Sequence, residues 1–315
     1  YSPRNAKRRR NLVLQRMRDE SYITQTEYID AVNSPITAKH HGAEITLSAH
    51  YVAEMARNKL IELYGIERSY NEGFNVYTTI NKTTQQAANK ALIDNLHQYD
   101  KRHGYRGAQK ILWEEPSNSW PLADIQANLK KQPSFADLSP AVVLEVNEQE
   151  IKVLRKGSGS EVQTIGWDGL KWARPFISDS SQGKEPEKAA DIVTAGELIW
   201  VRQTQQGLEL SQYPQASAAF VSLNPQDGAI TAMVGGFSFV QSKFNRATQA
   251  KRQVGSNIKP FIYSAALDNG YTLASLVNDA PINQWSGSAA WRPKNSPAVY
   301  DGPIRLRRAL AQSKN

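Results

Sequence analysis

The apolar residues of this chain change their spacing twice, and that change decides which architectures remain open. Over the first hundred residues they recur every three to four positions: Leu12, Val13 and Met17, then Ile23, Tyr28 and Ile29, then Tyr51, Val52, Met55, Leu60 and Leu63. That period marks helices with one apolar face. From residue 141 they fall instead into short β-branched runs divided by polar turns, the mark of strands. Helical spacing returns after Ser256, with Ile258, Phe261, Ile262, Ala265 and Ala266. Helices and strands kept in separate blocks point to an α+β fold rather than to alternating βα units.

In more detail, two helices are expected within 5–32, the second opened by Thr24 with Glu27 three residues on, a capping-box pattern. Polar residues 33–47 read as a linker. A helix over 48–64 is expected to stop at Gly65, followed by a strand over 75–80 and an Ala- and Gln-rich helix over 83–96. Residues 97–140, where Trp, Pro, Asn and Gly gather, read as loops around short elements. Strands at 142–146 and 151–154 form a hairpin, and 198–201 and 208–210 add further strands of a small barrel or sandwich. The polar stretch 178–188 reads as a mobile loop. A second hairpin, 219–223 with 229–234, turns on Asn224-Pro225-Gln226-Asp227-Gly228 and ends at Gly235-Gly236. A helix over 256–268 is expected to bury its apolar stripe and to stop near Gly270. The last helix, 303–311, is expected to turn Leu306 and Leu310 inward and its arginines outward.

Composition removes several kinds of chemistry. The chain of 315 residues has no cysteine, which excludes disulfides, thiolate metal sites and cysteine nucleophiles. His40, His41, His50, His97 and His103 lack metal-ligand spacing with carboxylates, so no metal and no cofactor is expected. The apolar runs fall far short of the roughly 18 residues that span a bilayer. The net charge of +8 is concentrated in Lys7-Arg8-Arg9-Arg10 and Arg305-Leu306-Arg307-Arg308, which read as solvated faces. A nucleic-acid-binding barrel needs aromatic residues interleaved with basic ones. Trp167, Trp172 and Trp200 have only scattered Lys and Arg around them, so no nucleic-acid partner is expected.

The chemistry lies near the C-terminus. Ser256 and Lys259 are three residues apart, so a helix puts them on one face. A serine hydroxyl becomes a nucleophile when a base takes its proton, and a lysine can be that base if burial lowers its pKa. A helix N-terminus suits a developing oxyanion. Gly255 leaves room for close approach, and Pro260 falls in the first turn, where its missing N–H costs little. Alone, Ser-x-x-Lys is common by chance. Ser313 and Asn315 strengthen it: the Ser313 hydroxyl can relay a proton, and the Asn315 amide can position substrate while contacting Lys259. In isolation the same two residues also fit a helix C-cap followed by a turn.

The stretch from Phe244 to Phe261, Phe-Asn-Arg-Ala-Thr-Gln-Ala-Lys-Arg-Gln-Val-Gly-Ser-Asn-Ile-Lys-Pro-Phe, resembles the active-site segment of class A (bifunctional) penicillin-binding proteins, of the 1a type of Gram-negative bacteria. Residues 224–236 resemble the strand pair before the nucleophile. Trp291-Arg292-Pro293-Lys294-Asn295 and 302–315 resemble the approach to the second motif. Ala6–Leu14 with Tyr22-Ile23-Thr24 is similar to the end of a glycosyltransferase domain, and 73–80 to an interdomain linker. The resemblance implies a glycosyltransferase tail over 1–40, a linker region over 41–100, an OB-like insert over 101–215 and the first part of a penicillin-binding, serine β-lactamase-like transpeptidase domain over 216–315.

It further implies Ser256 as nucleophile, Lys259 as general base, Ser313 as proton relay and Asn315 as substrate-positioning residue of a D,D-transpeptidase. The partners it implies are peptidoglycan stem peptides, glycan strands and β-lactams, with a protein or peptidoglycan contact for the OB-like insert. The place it implies is the periplasmic face of the bacterial inner membrane, reached through an anchor outside this sequence. A non-catalytic penicillin-binding sensor or scaffold on the same fold is the alternative. Two departures stand out: Val254 replaces the usual proline, and no Lys-Thr-Gly triplet follows Asn315. The glycosyltransferase's catalytic glutamate segment is absent as well. The sequence is therefore expected to be a piece of a longer protein, with too little of the oxyanion hole to be active alone.

Overall fold

A computed structural model describes residues 2–37, 45–281 and 293–315. His40, His41, Trp291 and Arg292, and the proposed boundary at 40/41, lie outside the described residues. The chain divides into two compact units, Tyr1–Ala49 and His50–Asn315.

In the first unit, α1 (Pro3–Asp19) and α2 (Gln25–Asn33) are each capped by their own sequence. Ser2 Oγ accepts from Asn5 N, and Thr24 and Glu27 form the expected reciprocal capping box. The basic run is not wholly a solvated face. Arg10 donates to Ser34 O at 2.8 Å and to Val32 O at 2.9 Å, taking up carbonyls freed at the end of α2.

The second unit begins with α3 (His50–Asn71) and α4 (Lys82–Lys101). Gly65 breaks the helix as expected: with φ 76° and ψ 166° it is not helical, and a second helical segment follows it. The strand expected over 75–80 does not form. Asn81 N reaches Thr231 O at 3.0 Å and Thr79 Oγ1 reaches Ile230 O at 2.7 Å, but Tyr77 is exposed and no ladder develops. β-Branched composition alone does not supply a strand with a partner.

Next come β1 (Lys110–Ile111), α5 (Leu122–Lys131), β2 (Leu138–Val146), β3 (Glu150–Arg155), β4 (Val162–Gly166), β5 (Phe176–Ser178), β6 (Ser181–Gln182), β7 (Glu197–Thr204) and β8 (Gly207–Ser211). One antiparallel sheet runs β1-β7-β2-β3-β4, with β8 beside β7. β4 comes into contact with β8, so the sheet curls toward a barrel. Alternation decides what fills it. Val143, Ile151, Val153, Ile165, Val201 and Leu210 pack inside, while Val142, Leu154 and Leu198 face outward onto Ile125 and Leu129 of α5. α5 lies where the sequence suggested loops, and β5 pairs with β6 partly inside the stretch read as a mobile loop. Trp200 is buried, and Trp167 and Trp172 pack against the barrel interior, so the indoles do not form a stacking face.

The chain then forms β9 (Phe220–Leu223), β10 (Ile230–Val234), α6 (Lys259–Asp268), β11 (Leu276–Asp279), β12 (Gly302–Arg305) and α7 (Leu306–Ala311). β9 and β10 are the expected hairpin. α4 joins this hairpin to the barrel: Ala88, Leu92 and Leu96 pack with Leu138 and Trp200 on one side and Ala232, Val234 and Phe237 on the other. Gln85, buried near the start of α4, accepts from Met233 N and donates to Met233 O, both at 2.9 Å. Its amide substitutes for a neighbouring strand at that edge of β10. Two expectations near the end are corrected. Residues 302–305 are a strand because they pair with β11, so the helix starts only at Leu306. Ala309, not Leu310, joins Leu306 inside.

Candidate active site

The approach to Ser256 is built on β10. At its end Gly235 lets the chain pass so close to Tyr51 and Asn245 that a Cβ would sit 2.5 Å from Asn245 Oδ1. Asn245 is buried. It accepts from Ala247 N at 3.1 Å and takes the Gln249 side-chain oxygen on its own N–H at 2.7 Å, which turns the loop back. Arg246 N binds Gly235 O, and Tyr51 Oη donates to Ser242 O, so α3 and β10 hold the loop that leads to the serine.

Ser256 lies in a short 3₁₀ turn, Gly255–Ile258, that runs directly into α6. The expected helix therefore starts tighter than an α-helix, with Lys259 as its first α-helical residue. Gly255 has φ 55°, a region open to glycine at little cost, and the space above it is empty. The apolar stripe expected to be buried on α6 is not. Phe261 is 72% exposed and Ile262 57%, and α6 has no buried residue. Its neighbour α7 is a short helix, and no described element buries the stripe.

The second motif ends α7 in a Schellman turn. Ser313 N donates to Leu310 O at 3.0 Å and Lys314 N to Ala309 O at 2.9 Å. Ser313 itself takes φ 50°, the left-handed position that glycine usually fills in this turn. The C-cap reading and the relay reading thus describe the same residue. The strained backbone aims the hydroxyl at the Ser256–Lys259 pair.

All four expected residues come together. Lys259 Nζ donates to Ser313 O at 2.6 Å, to Ser313 Oγ at 3.0 Å and to Asn315 Oδ1 at 2.8 Å. Ser313 Oγ donates to Ser256 Oγ at 3.1 Å. The path from lysine to serine runs through the Ser313 hydroxyl. Partial burial lowers the Lys259 pKa, and these three acceptors are neutral oxygens, so the neutral amine can form here without breaking one of these contacts as an ion pair. Asn315 Nδ2 donates to Lys294 O at 2.7 Å, which leaves one of its two amide hydrogens for another acceptor.

Sequence reasoning missed the residues behind this turn. Asn315 N donates to Asn295 Oδ1 at 2.8 Å, and Asn295 Nδ2 donates to Asp279 Oδ1 at 2.7 Å. Lys314 Nζ lies 2.8 Å from Asp279 Oδ2 and 2.9 Å from Asp301 Oδ2. The Lys314 ammonium, with further hydrogen bonds, holds the Asp279 carboxyl down at about 2, and the two carboxylates raise the Lys314 pKa. No spacing in the sequence links 279, 295, 301 and 314. The only local hint is a lysine placed just after an apolar helix face.

The comparisons with known proteins cover both halves of this architecture. Residues 105–216 match the family model of the penicillin-binding protein OB-like domain, and residues 218–315 that of the penicillin-binding protein transpeptidase domain. Over its whole length the chain is 55% identical to penicillin-binding protein 1A of Vibrio cholerae and 49% identical to that of Escherichia coli. It spans 39% and 37% of those relatives' lengths. The fold matches a crystal structure of penicillin-binding protein 1A from Haemophilus influenzae with a TM-score of 0.75 at 42% identity, covering all of this chain and 44% of that one. An OB-like barrel joined through α4 to the hairpin that carries a Ser-x-x-Lys turn, with similarity along every part of the sequence, places the chain in the class A penicillin-binding proteins of the 1A type.

Proposed function

We propose that the full-length protein is a peptidoglycan D,D-transpeptidase that works through an acyl-enzyme on Ser256 and is acylated there by β-lactams. The observation that carries this reading is the hydrogen-bonded path from Lys259 through Ser313 to Ser256. In the resting orientation Lys259 donates along the path. Once Lys259 is neutral, both hydroxyls reverse: Ser256 donates to Ser313, and Ser313 donates to Lys259.

Attack then forms the bond from Ser256 Oγ to the penultimate D-Ala carbonyl carbon of a stem peptide. The C–N bond to the terminal D-Ala breaks, and the proton returns along the same path to the departing amine. An amine of a neighbouring stem forms the new C–N bond as the Oγ–C bond breaks, and Ser256 recovers its proton. A β-lactam opens its ring C–N bond on the same serine and remains attached. The second Asn315 amide hydrogen is left to bind a substrate carbonyl.

The remaining assignments extend the same proposal. Residues 1–40 belong to the tail of a glycosyltransferase domain, 41–100 to a linker region, 101–215 to an OB-like contact module for protein or peptidoglycan, and 216–315 to the transpeptidase domain. The protein acts at the periplasmic face of the inner membrane, where an anchor holds it and glycan polymerisation accompanies cross-linking. Among the described residues no helix is long and apolar enough to cross a membrane. The test is covalent labelling of the full-length protein by a fluorescent penicillin. Wild type is expected to label, and Ser256→Ala and Lys259→Ala to lose labelling while staying folded; a Ser256→Ala protein that still labels defeats the assignment.

A further inference from the structure

The second motif carries a lysine that points away from the nucleophile. Lys314 Nζ is held between Asp279 and Asp301 and also donates to Val299 O at 3.2 Å. The Asp279 side chain is 1% exposed. Its Oδ2 also accepts from Asp301 N at 2.9 Å, and its Oδ1 accepts from Asn295, whose own oxygen holds Asn315 N. Asn295 Nδ2 reaches Val299 O as well, at 2.9 Å. One cluster, closed off by the β11–β12 pair, therefore grips the chain at the two residues that follow Ser313.

That grip falls where the backbone needs it. Ser313 holds a left-handed φ of 50°, which a residue with a Cβ resists unless its surroundings over-determine it. The Schellman bonds fix Ser313 N and Lys314 N. They close a helix of only six residues, whose end frays unless something beyond it holds the turn, and the turn sets where the Ser313 hydroxyl lies relative to Lys259 and Ser256. The Lys314 ammonium and the Asn315 N–H supply the missing anchors, one through charge and one through a directional hydrogen bond.

We propose that Lys314, clamped by Asp279 and Asp301 and seconded by Asn295, is a positioning residue that holds the Ser313 hydroxyl between Lys259 and Ser256. The proposal rests on the relay reading of Ser313 given under the proposed function. Lys314 touches none of the reacting atoms. It acts through the turn, and its loss lowers the rate of acylation without altering how penicillin first binds.

The experiment uses the full-length protein and a fluorescent penicillin, with acylation followed as a function of concentration to separate the maximal rate from the half-saturating concentration. Lys314→Met is expected to lower the maximal rate about 10–100-fold, the scale of an ångström of misplacement at a reacting centre. The half-saturating concentration should move less than about threefold. Lys314→Arg, which keeps the charge, is expected to recover most of the rate. Asp279→Asn should resemble Lys314→Met, and the double variant should be no slower than the worse single one, because both act through one contact.

Asp301→Asn, nearer the surface, provides a milder version if Lys314→Met does not fold, with an expected loss of at least about threefold. A wild-type maximal rate in folded Lys314→Met overturns the proposal, as does a wild-type rate in Asp301→Asn when Lys314→Met is unfolded. A change confined to the half-saturating concentration overturns it too. Ser256→Ala and Lys259→Ala run in parallel. If they label normally the transpeptidase reading itself fails; if they lose labelling while Lys314→Met does not, only the positioning role fails.

Discussion

The OB-like barrel and the turn that carries Ser256 are held together by opposite means. In the barrel, Val143, Ile151, Val153, Leu154 and Ile165 are removed from water completely. Around Ser256 the apolar side chains of α6 lie in solvent, and order comes from donors and acceptors: Lys259 on Ser313 and Asn315, Asn315 on Asn295, Lys314 on Asp279 and Asp301. Apolar burial stabilises without direction, whereas a hydrogen bond weakens steeply when its angle or length is wrong. The barrel supplies free energy, and the site supplies geometry. α4 links the barrel to the β9–β10 hairpin, from which the chain runs on to the site, by packing on both and by clamping Met233 through Gln85.

The largest effect expected from this contrast is in stability. Ile151→Ala should destabilise this chain by about 3 kcal/mol in a urea titration, since it removes fully buried atoms and leaves a cavity. Phe261→Ala in the same chain should cost less than about 0.5 kcal/mol despite removing a larger side chain, because a change at an exposed site touches little packing. Equal costs would erase the distinction between the two regions.

Ser313→Gly separates stability from activity within one residue. Glycine accepts the left-handed φ freely, so unfolding should be unchanged or harder by up to about 1 kcal/mol. Acylation of the full-length protein by penicillin should nevertheless fall at least about 100-fold, because the hydroxyl between Lys259 and Ser256 is gone. A variant that is both stable and fully active would show that the hydroxyl is not needed.

Protonation tests the polar side of the comparison. The Asp279 carboxyl sits at about 2 in the folded chain, below the roughly 3.9 of an unfolded one. Its stabilising contribution is therefore complete above about pH 4. It is lost as pH falls toward 2. The Asn315 amide resonance, two hydrogen bonds away through Asn295, should follow a titration near pH 2, and a midpoint near the ordinary carboxyl value would mean that the cluster does not form. Lys259 shifts the other way. Its folded pKa is lowered by burial, so its charge opposes folding at neutral pH, and that opposition fades as pH rises through the folded value. The acylation rate should rise over the same interval, with a midpoint below the roughly 10.4 of a free lysine.

The smallest effect expected is at Val254. The chain there has φ −70° and ψ −25°, a conformation that proline also adopts. Val254→Pro should change stability and acylation by less than about 0.5 kcal/mol. A larger loss in either would show that the turn before Ser256 depends on the valine side chain itself.

Much of the fold was legible because it is local. Thr24 with Glu27, the Asn224–Gly228 turn and the alternation along β2 and β3 act within a few residues, and each element appears in the structure. α5 was also readable, with Ile125 and Leu129 four residues apart, but the loop-forming residues around it masked the period. The strand expected over 75–80 and the burial of α6 depended on what the segment meets elsewhere. The same holds for residues 302–305, whose pairing with 276–279 converts the start of an expected helix into β12.

For the site, sequence alone selected Ser256, Lys259, Ser313 and Asn315, because their chemistry depends on residue type and on short spacings along one helix and one turn. Tertiary structure decided how they connect. It routes Lys259 to Ser256 through Ser313, gives Ser313 its left-handed backbone, and turns Lys314 onto Asp279 and Asp301. These contacts join residues far apart in the chain whose distances no local pattern encodes. They exist only once the sheets and α4 have fixed the backbones from which the side chains reach.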